Sequence, residues 1–184
     1  MPWKSRWYAE GASYRNFLIE DIKIRKALME RLKPAGIVNV EIARLPKSMV
    51  ITLYVSRPGV VIGRGGSGIE EIKKYILEMS KKIRGKSGKD LKIDVLVQEV
   101  KNPEISAHLV AGRIANELER RIPHRRVVGR AMERVIQAGG KGVKIVLAGR
   151  IEGAEIARVE KYRTGPVPSQ SLREEIDYAQ AWAL

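Results

Sequence analysis

Val60-Val61-Ile62-Gly63-Arg64-Gly65-Gly66-Ser67 lies about a third of the way along a chain of 184 residues. Three apolar residues run into Gly-Arg-Gly-Gly, and a helical pattern starts directly behind them. Glycines in that number let a backbone turn sharply and lie close to a bulky group. Arg64 puts a cation at the tip of the turn. A glycine-rich turn at a helix N-terminus presents free N–H groups to an anion, most often a phosphate.

Three readings fit this stretch alone. One is a plain helix–helix turn. A second uses Gly63, Gly65 and Gly68, which match the G-x-G-x-x-G fingerprint of dinucleotide binding. That fingerprint needs a full strand before its first glycine, and Pro58-Gly59 leaves only residues 60–62 for one. It also needs an acid about 20 positions on, at a strand end. Asp90 and Asp94 fall there, but in or beside the basic stretch 86–92. The third reading is the GxxG turn of a KH domain, Gly63-Arg64-Gly65-Gly66, which clamps a few nucleotides of single-stranded RNA by their backbone. Pro58 suits the first position of a short helix before it.

The flanking elements decide. Ser13 is placed to cap a helix running to about residue 33, with Leu18, Ile22, Met29 and Leu32 as its buried face. Lys23, Glu30 and Arg31 point outward, and the stem of Arg25 lies along the core. Pro34-Ala35-Gly36 stops this helix. Residues 37–42 form a strand with Val38, Val40 and Ile42 on one side, and 49–55 a second strand, joined by the turn 45–48. After the glycines, a helix over 67–82 carries Ile69, Ile72, Ile76 and Met79 inward. Lys73 and Lys74 lie near its start, within reach of whatever the turn holds. A basic loop, 81–89, leads to a strand over 91–97. The order helix, strand, strand, short helix, GxxG, helix, strand is that of a type II KH domain. The βαβ unit that a dinucleotide site requires is missing from it.

Composition agrees with a polyanionic partner. Lys and Arg number 35 against 21 acids, a net charge of +14. Such an imbalance concerns partners rather than fold and points to nucleic acid or an acidic membrane surface. No apolar run approaches the roughly 18 residues of a membrane span, and no apolar signal region follows Met1-Pro2-Trp3-Lys4. With no cysteine and two histidines, thiolate sites and sites of three histidines are excluded. The chain fits a reducing cytosol, and neither a metal, a cofactor nor a catalytic site is expected.

The sequence divides into an arm over 1–12, the KH unit over 13–99, a linker over 100–104 and a second domain over 105–184. In the arm, Trp3, Trp7 and Tyr8 stand among Lys4 and Arg6, suited both to packing on the body and to lying against RNA. In the linker, Asn102 is placed to cap, and Pro103 to open, a helix to about residue 121, with Ile105, Leu109, Ile114 and Leu118 inward. Ile122-Pro123 breaks it, and a second helix runs over 124–137. Between positions 120 and 134 there are six arginines and one acid, Glu133, a net of +5. Val128, Met132 and Val135 share one stripe of that helix, and Arg126, Arg130 and Arg134 the opposite face. Solvated faces usually mix signs, so a one-signed face favours phosphate binding. His124, with no carboxylate evident beside it, is read as a helix-start or surface residue, and His108 as packed. Strands follow at 143–147 and 154–162. Leu172, Ile176, Tyr178 and Trp182 share one parity, so 171–183 reads as a third strand, with a helix the alternative. Arg150, Arg158, Lys161, Arg163 and Arg173 decorate this part.

These residues carry a resemblance. Arg57-Pro58-Gly59-Val60-Val61-Ile62-Gly63-Arg64-Gly65-Gly66 and Val100-Lys101-Asn102-Pro103-Glu104 belong to it. More specific are Gly149-Arg150, Gly153-Ala154-Glu155-Ile156-Ala157-Arg158, Tyr162-Arg163-Thr164-Gly165-Pro166-Val167-Pro168, Leu172-Arg173 and Ile176-Asp177-Tyr178. From about residue 5 to 182 the chain resembles the family of small-subunit ribosomal protein S-three, in its bacterial form. The resemblance implies an α+β protein: a type II KH domain, then a two-layer α/β domain of two helices on an antiparallel sheet. It implies a structural, non-enzymatic component of the small-subunit head, in the cytoplasmic ribosome, bound to rRNA beside proteins S-ten and S-fourteen. It also implies contact with mRNA at the channel entry. Arg125 and Arg126 match the family's paired arginines there. Gly129 replaces a lysine often found after them, with Arg130 beside it. The expected RNA-binding residues are Gly63, Arg64, Gly65, Gly66, Lys73, Lys74, Arg150, Arg158 and Arg163, with Arg125, Arg126 and Arg130 at the mRNA entry. The family begins with a short tail before the Trp3 region and ends with a fourth strand. The sequence is therefore expected to be part of a longer chain, a naturally shortened one being the alternative. A free KH-type RNA-binding regulator is the rival function, and an enzyme using a dinucleotide at 63–68 a more distant one.

Overall fold

Helix α1 (Gly11–Arg31) buries a face that its apolar spacing does not announce. In the computed structural model, which describes residues 3–45, 48–84 and 92–184, the buried positions are Glu20, Asp21, Ile24 and Leu28. Leu18 and Ile22, expected inside, are 41% and 53% exposed. The cause is an ionic cluster. Arg44 Nη1 lies 2.7 Å from Glu20 Oε2, and its Nε donates to Asp21 Oδ1 at 2.9 Å. Ser80 donates its hydroxyl to Glu20. Trp7 Nε1 and Ser5 Oγ donate to Asp21 Oδ2 at 2.7 and 3.0 Å. Charges taken out of water are tolerated when paired and hydrogen-bonded in this way, and the helix rotates to place them inside.

The same cluster ties down the N-terminal arm. Within the expected arm, Ser5–Arg6 forms a short strand, β1. It pairs in parallel with β2 (Ile37–Arg44). Arg25 supports it, donating to Ser5 Oγ at 3.0 Å. The Trp7 ring packs on Tyr14 and Phe17, with centroids 5.4 and 5.7 Å away, whereas Trp3 and Tyr8 are exposed.

Strand β2 runs antiparallel to β3 (Ser48–Val55), and β3 parallel to β4 (Lys92–Glu99), giving the order β1-β2-β3-β4. A register shift between Ile37 and Asn39 alters the expected alternation. Ile37, Val40 and Ile42 are buried, and Val38 is not, because the bulge moves the strand's phase by one residue. Between β3 and β4 come α2 (Pro58–Ile62), a tight turn (Arg64–Gly66) and α3 (Ser67–Arg84). Ile24, Leu28, Ile51, Leu53, Val61, Ile72, Ile76 and Val95 share one core. Full burial of each such side chain contributes roughly 1.5–3 kcal/mol. Positions 85–89 of the basic stretch, with Asp90 and Leu91, lie outside the described residues, as do Pro46 and Lys47 of the turn before β3.

By its contacts the chain divides into Met1–Lys101 and Asn102–Leu184. In the second unit, α4 (Ala107–Glu119) starts later than Pro103 suggested, with Ser106 as its N-cap residue. It packs beside α5 (His124–Gln137). Strands β5 (Val143–Gly149) and β6 (Arg158–Thr164) form an antiparallel hairpin. Val110, Ile114, Val127 and Val135 make the core, with Val143, Ile145 and Leu147 of β5 against them. Ile105 and His108, both expected to pack, are exposed. The third strand expected over 171–183 is not formed. Leu172, Ile176, Tyr178 and Trp182 are exposed, and the segment runs as turns and irregular chain. Shared parity marks a strand only where a neighbouring edge supplies a ladder of backbone hydrogen bonds, and among the described residues this segment pairs with no strand; its Asp177 Oδ2 instead accepts from the Ala107 N–H at the start of α4, at 2.8 Å. No helix among the described residues is long and apolar enough to cross a membrane.

Candidate nucleic-acid interface

The glycine turn is built by two helices that nearly touch. Gly63 ends α2 at φ 69°, ψ −177°, a conformation essentially confined to glycine. Gly65 and Gly66 follow at φ 62° and 83°. Gly68, in the first turn of α3, has an ordinary φ, and close approach is what restricts it. A Cβ there would stand 2.4 Å from the Val61 carbonyl oxygen. The third glycine of the apparent dinucleotide fingerprint thus serves helix-on-helix packing. Arg64, at the tip, is exposed. Lys74 is exposed, while Lys73 Nζ lies 3.6 Å from Asp94 Oδ1, so one of the two lysines behind the turn already has a carboxylate.

In the second unit α5 carries the arginines, but its buried arc is centred on Val127, Ala131 and Val135 rather than on Met132. That rotates Arg130 and Arg134 away from the solvent crest towards α4, where they share a seam with Glu104, Arg113 and Glu117. Arg130 Nη1 lies 3.7 Å from Glu117 Oε2. Arg113 pairs with Glu104, holding that carboxyl below its ordinary range chiefly through their hydrogen bond. Arg125 and Arg126 are exposed at the first turn of α5. The expected one-signed face is therefore narrower than helical geometry alone implied, because its partners sit on another helix.

His124 differs most from expectation. It is the first residue of α5, yet it is buried between two carboxylates. Its backbone N–H donates to Glu152 Oε1 at 3.2 Å, and its Nδ1 lies 2.7 Å from the same oxygen. Its Nε2 lies 3.0 Å from Glu160 Oε2. Tyr162 donates its hydroxyl to Glu160. The histidine hydrogen bonds, first the ring and then the backbone N–H, hold the Glu152 carboxyl below its ordinary range. Tyr162, then His124 and Arg125, do so for Glu160. No local spacing could have shown this cluster, since its acids lie 28 and 36 residues downstream, in the turn Ile151–Gly153 and on β6.

Glu152 sits at φ 55°, ψ 27°, where L side chains are strained, and its bonds to His124 offset that strain. In thermal melts, Glu152→Gly should lower Tm clearly in the otherwise unaltered chain and much less beside His124→Phe, where only the bond from the backbone N–H of residue 124 is left to Glu152. Equal shifts in both backgrounds would show that the two residues are uncoupled. A carboxyl whose folded pKa is depressed stabilises the fold above its unfolded pKa. The destabilisation by Glu152→Gln should be full above about pH 4.5 and fade as pH falls through the lower folded value.

The remaining expected cations are spread over the hairpin. Arg158 opens β6 and is exposed. Arg163 is exposed and donates to the Gly165 carbonyl at 3.3 Å. Arg150 donates to the Ala154 carbonyl at 2.8 Å, so part of its guanidinium holds the turn.

A sheet of β2-β3-β4 with α1, α2 and α3, carrying a Gly-x-x-Gly turn between α2 and α3, places the chain among KH-domain proteins of type II. The KH domain family matches residues 23–105, and the family described as ribosomal protein S3, C-terminal domain, matches residues 114–184. Small ribosomal subunit protein uS3 of Hydrogenovibrio crunogenus is 43% identical over 177 residues, 96% of this chain and 74% of that protein. The uS3 proteins of Novosphingobium aromaticivorans and Clostridium novyi are each 44% identical over 181 residues, 98% of this chain and 74% and 78% of theirs. The chain belongs to the uS3 family of small ribosomal subunit proteins, in its bacterial form.

Proposed function

We propose that this protein binds rRNA of the small-subunit head and touches mRNA where it enters the channel. The coarser role follows from the family: a structural, non-enzymatic constituent of the small subunit of the cytoplasmic ribosome. Neighbouring proteins S-ten and S-fourteen complete the proposed setting. In the KH unit, Gly63 to Gly66 bring backbone close to a phosphate, with Arg64 and Lys74 as cations, and Lys73 contributes less because Asp94 competes for it. Arg150, Arg158 and Arg163 supply rRNA contacts from the second unit.

The observation that carries the mRNA reading is the exposed pair Arg125-Arg126 in a stretch from 120 to 126 that holds four arginines and no acid. Contacts of this kind neutralise phosphates and release counterions without reading sequence. Arg130 ranks below the pair, since Glu117 already faces it.

Small subunits carrying Arg125→Ala and Arg126→Ala should assemble normally and translate unstructured messages at the usual rate. Each solvent-facing charge contact is worth up to about 1 kcal/mol, so passage through a stable mRNA hairpin should slow by roughly 5- to 30-fold. Single-turnover elongation on hairpin and unstructured messages measures this, and equal rates for the variant and the unaltered protein on the hairpin would remove the reading.

A further inference from the structure

Two residues other than glycine adopt left-handed backbone among the described residues, Arg121 at φ 58° and Glu152 at φ 55°. They lie on either side of the α5 N-terminus, one before it in the chain and one hydrogen-bonded to it. The strain at Glu152 is met by its bonds to His124. The strain at Arg121 has no such answer among the described residues.

Arg121 closes helix α4. Its N–H donates to the Leu118 carbonyl at 2.9 Å, and the Ile122 N–H to the Glu117 carbonyl at 3.3 Å. This is the helix ending in which a left-handed residue, usually glycine, stands between the cap and the returning chain. Ile122 then packs on the core beside Leu118. The backbone geometry is thus determined by the fold, and glycine would meet it with the least strain. The chain has arginine instead. Its side chain is exposed and makes no hydrogen bond or ion pair with any described residue. Its neighbours Arg120, Arg125 and Arg126 are exposed and of the same sign, and residues 117–126 hold four arginines against the two acids Glu117 and Glu119, so the net local charge opposes rather than favours a cation here.

We infer that Arg121 is a further RNA phosphate contact, extending the Arg125-Arg126 surface across the turn that joins α4 to α5. A side chain kept at a strained position, without a partner among the described residues and among like charges, finds its partner outside the protein. The local charge makes that partner a polyanion. Arg121 and Arg125 are four positions apart in the chain, so their Cα atoms are at most ~14 Å apart, within reach of one RNA strand. The inference rests on the mRNA reading above.

The test uses the full chain and an unstructured oligouridine, with binding followed by fluorescence anisotropy across a salt series. Each phosphate contact on a single strand contributes about 0.7 to the slope of log affinity against log salt. Arg121→Gly should lower that slope by about 0.7 while its melting temperature stays equal or rises, because glycine relieves the strain. Arg121→Lys should keep the slope. If Arg121→Gly leaves the slope unchanged while the Arg125→Ala/Arg126→Ala variant lowers it, Arg121 is outside the interface and the entry reading stands. Unchanged slopes in both overturn that reading and the inference together. A lower melting temperature for Arg121→Gly shows a side chain kept for the fold and overturns the inference as well.

Discussion

Arg44→Met should cost the first unit about 3–5 kcal/mol, because removing one partner leaves buried carboxylates uncompensated. Methionine preserves much of the side-chain length, so loss of packing contributes little. Arg44 is 5% exposed at its side chain, Glu20 0% and Asp21 2%, and all three sit between α1, β2 and α3. The guanidinium also stands over the Phe17 ring, 4.9 Å from its centroid, so the substitution weakens the seat of Trp7 too. Stabilities of whole domains are about 5–15 kcal/mol, which makes this loss a large share. Trp7 reports on the unit directly, since its Nε1 donates to Asp21. Chemical denaturation followed by tryptophan fluorescence should show an earlier first transition. A loss below about 1 kcal/mol would mean that water reaches the cluster and that the pair behaves as a surface one.

The second large effect is expected at Gly68, and Gly59 supplies its control. Alanine at position 68 would put Cβ 2.4 Å from the Val61 carbonyl oxygen and 3.1 Å from that of Ile62. Both obstacles are backbone and cannot rotate aside, so α2 and α3 must separate. Overpacking of this kind costs about 1–3 kcal/mol, and it displaces the turn that carries Arg64. At Gly59, inside α2, a Cβ meets nothing within 4 Å. There alanine should stabilise the unit by about 0.5–1 kcal/mol through its better helix propensity. Urea titration of the two variants checks the pair of signs. RNA binding should fall in Gly68→Ala and hold in Gly59→Ala, and a Gly68→Ala protein of unchanged stability would show that α2 and α3 are less tightly joined than their geometry implies.

Much of the candidate site was legible from local features. The glycine turn needs nothing beyond its own residues and the elements on either side, and Arg125 and Arg126 are exposed because the helix periodicity puts them off the apolar stripe. The positions where the structure departs from local expectation have distant partners. Arg130 looked free until α4 brought Glu117 beside it. His124 looked solitary until the hairpin returned Glu152 and Glu160 to its two ring nitrogens. Arg121 counts among the six arginines of 120–134, but its left-handed backbone leaves no mark in the sequence because the residue is not glycine.

The sequence by itself determined the order of elements in the KH unit, the place of the Gly63–Gly66 turn within it, the excess of positive charge and the family. Each of these depends on short-range periodicity, on glycine and proline chemistry, or on composition. Only the tertiary structure decided which face of α1 is buried, since two acids there become core residues once Arg44 meets them from β2. It also decided the phase of β2 at its bulge and the absence of a strand over 171–183. The physical reason is the same throughout. Burial of a charge, pairing of a strand and freedom of an arginine depend on groups far away in the chain, and no local pattern records where those groups will be.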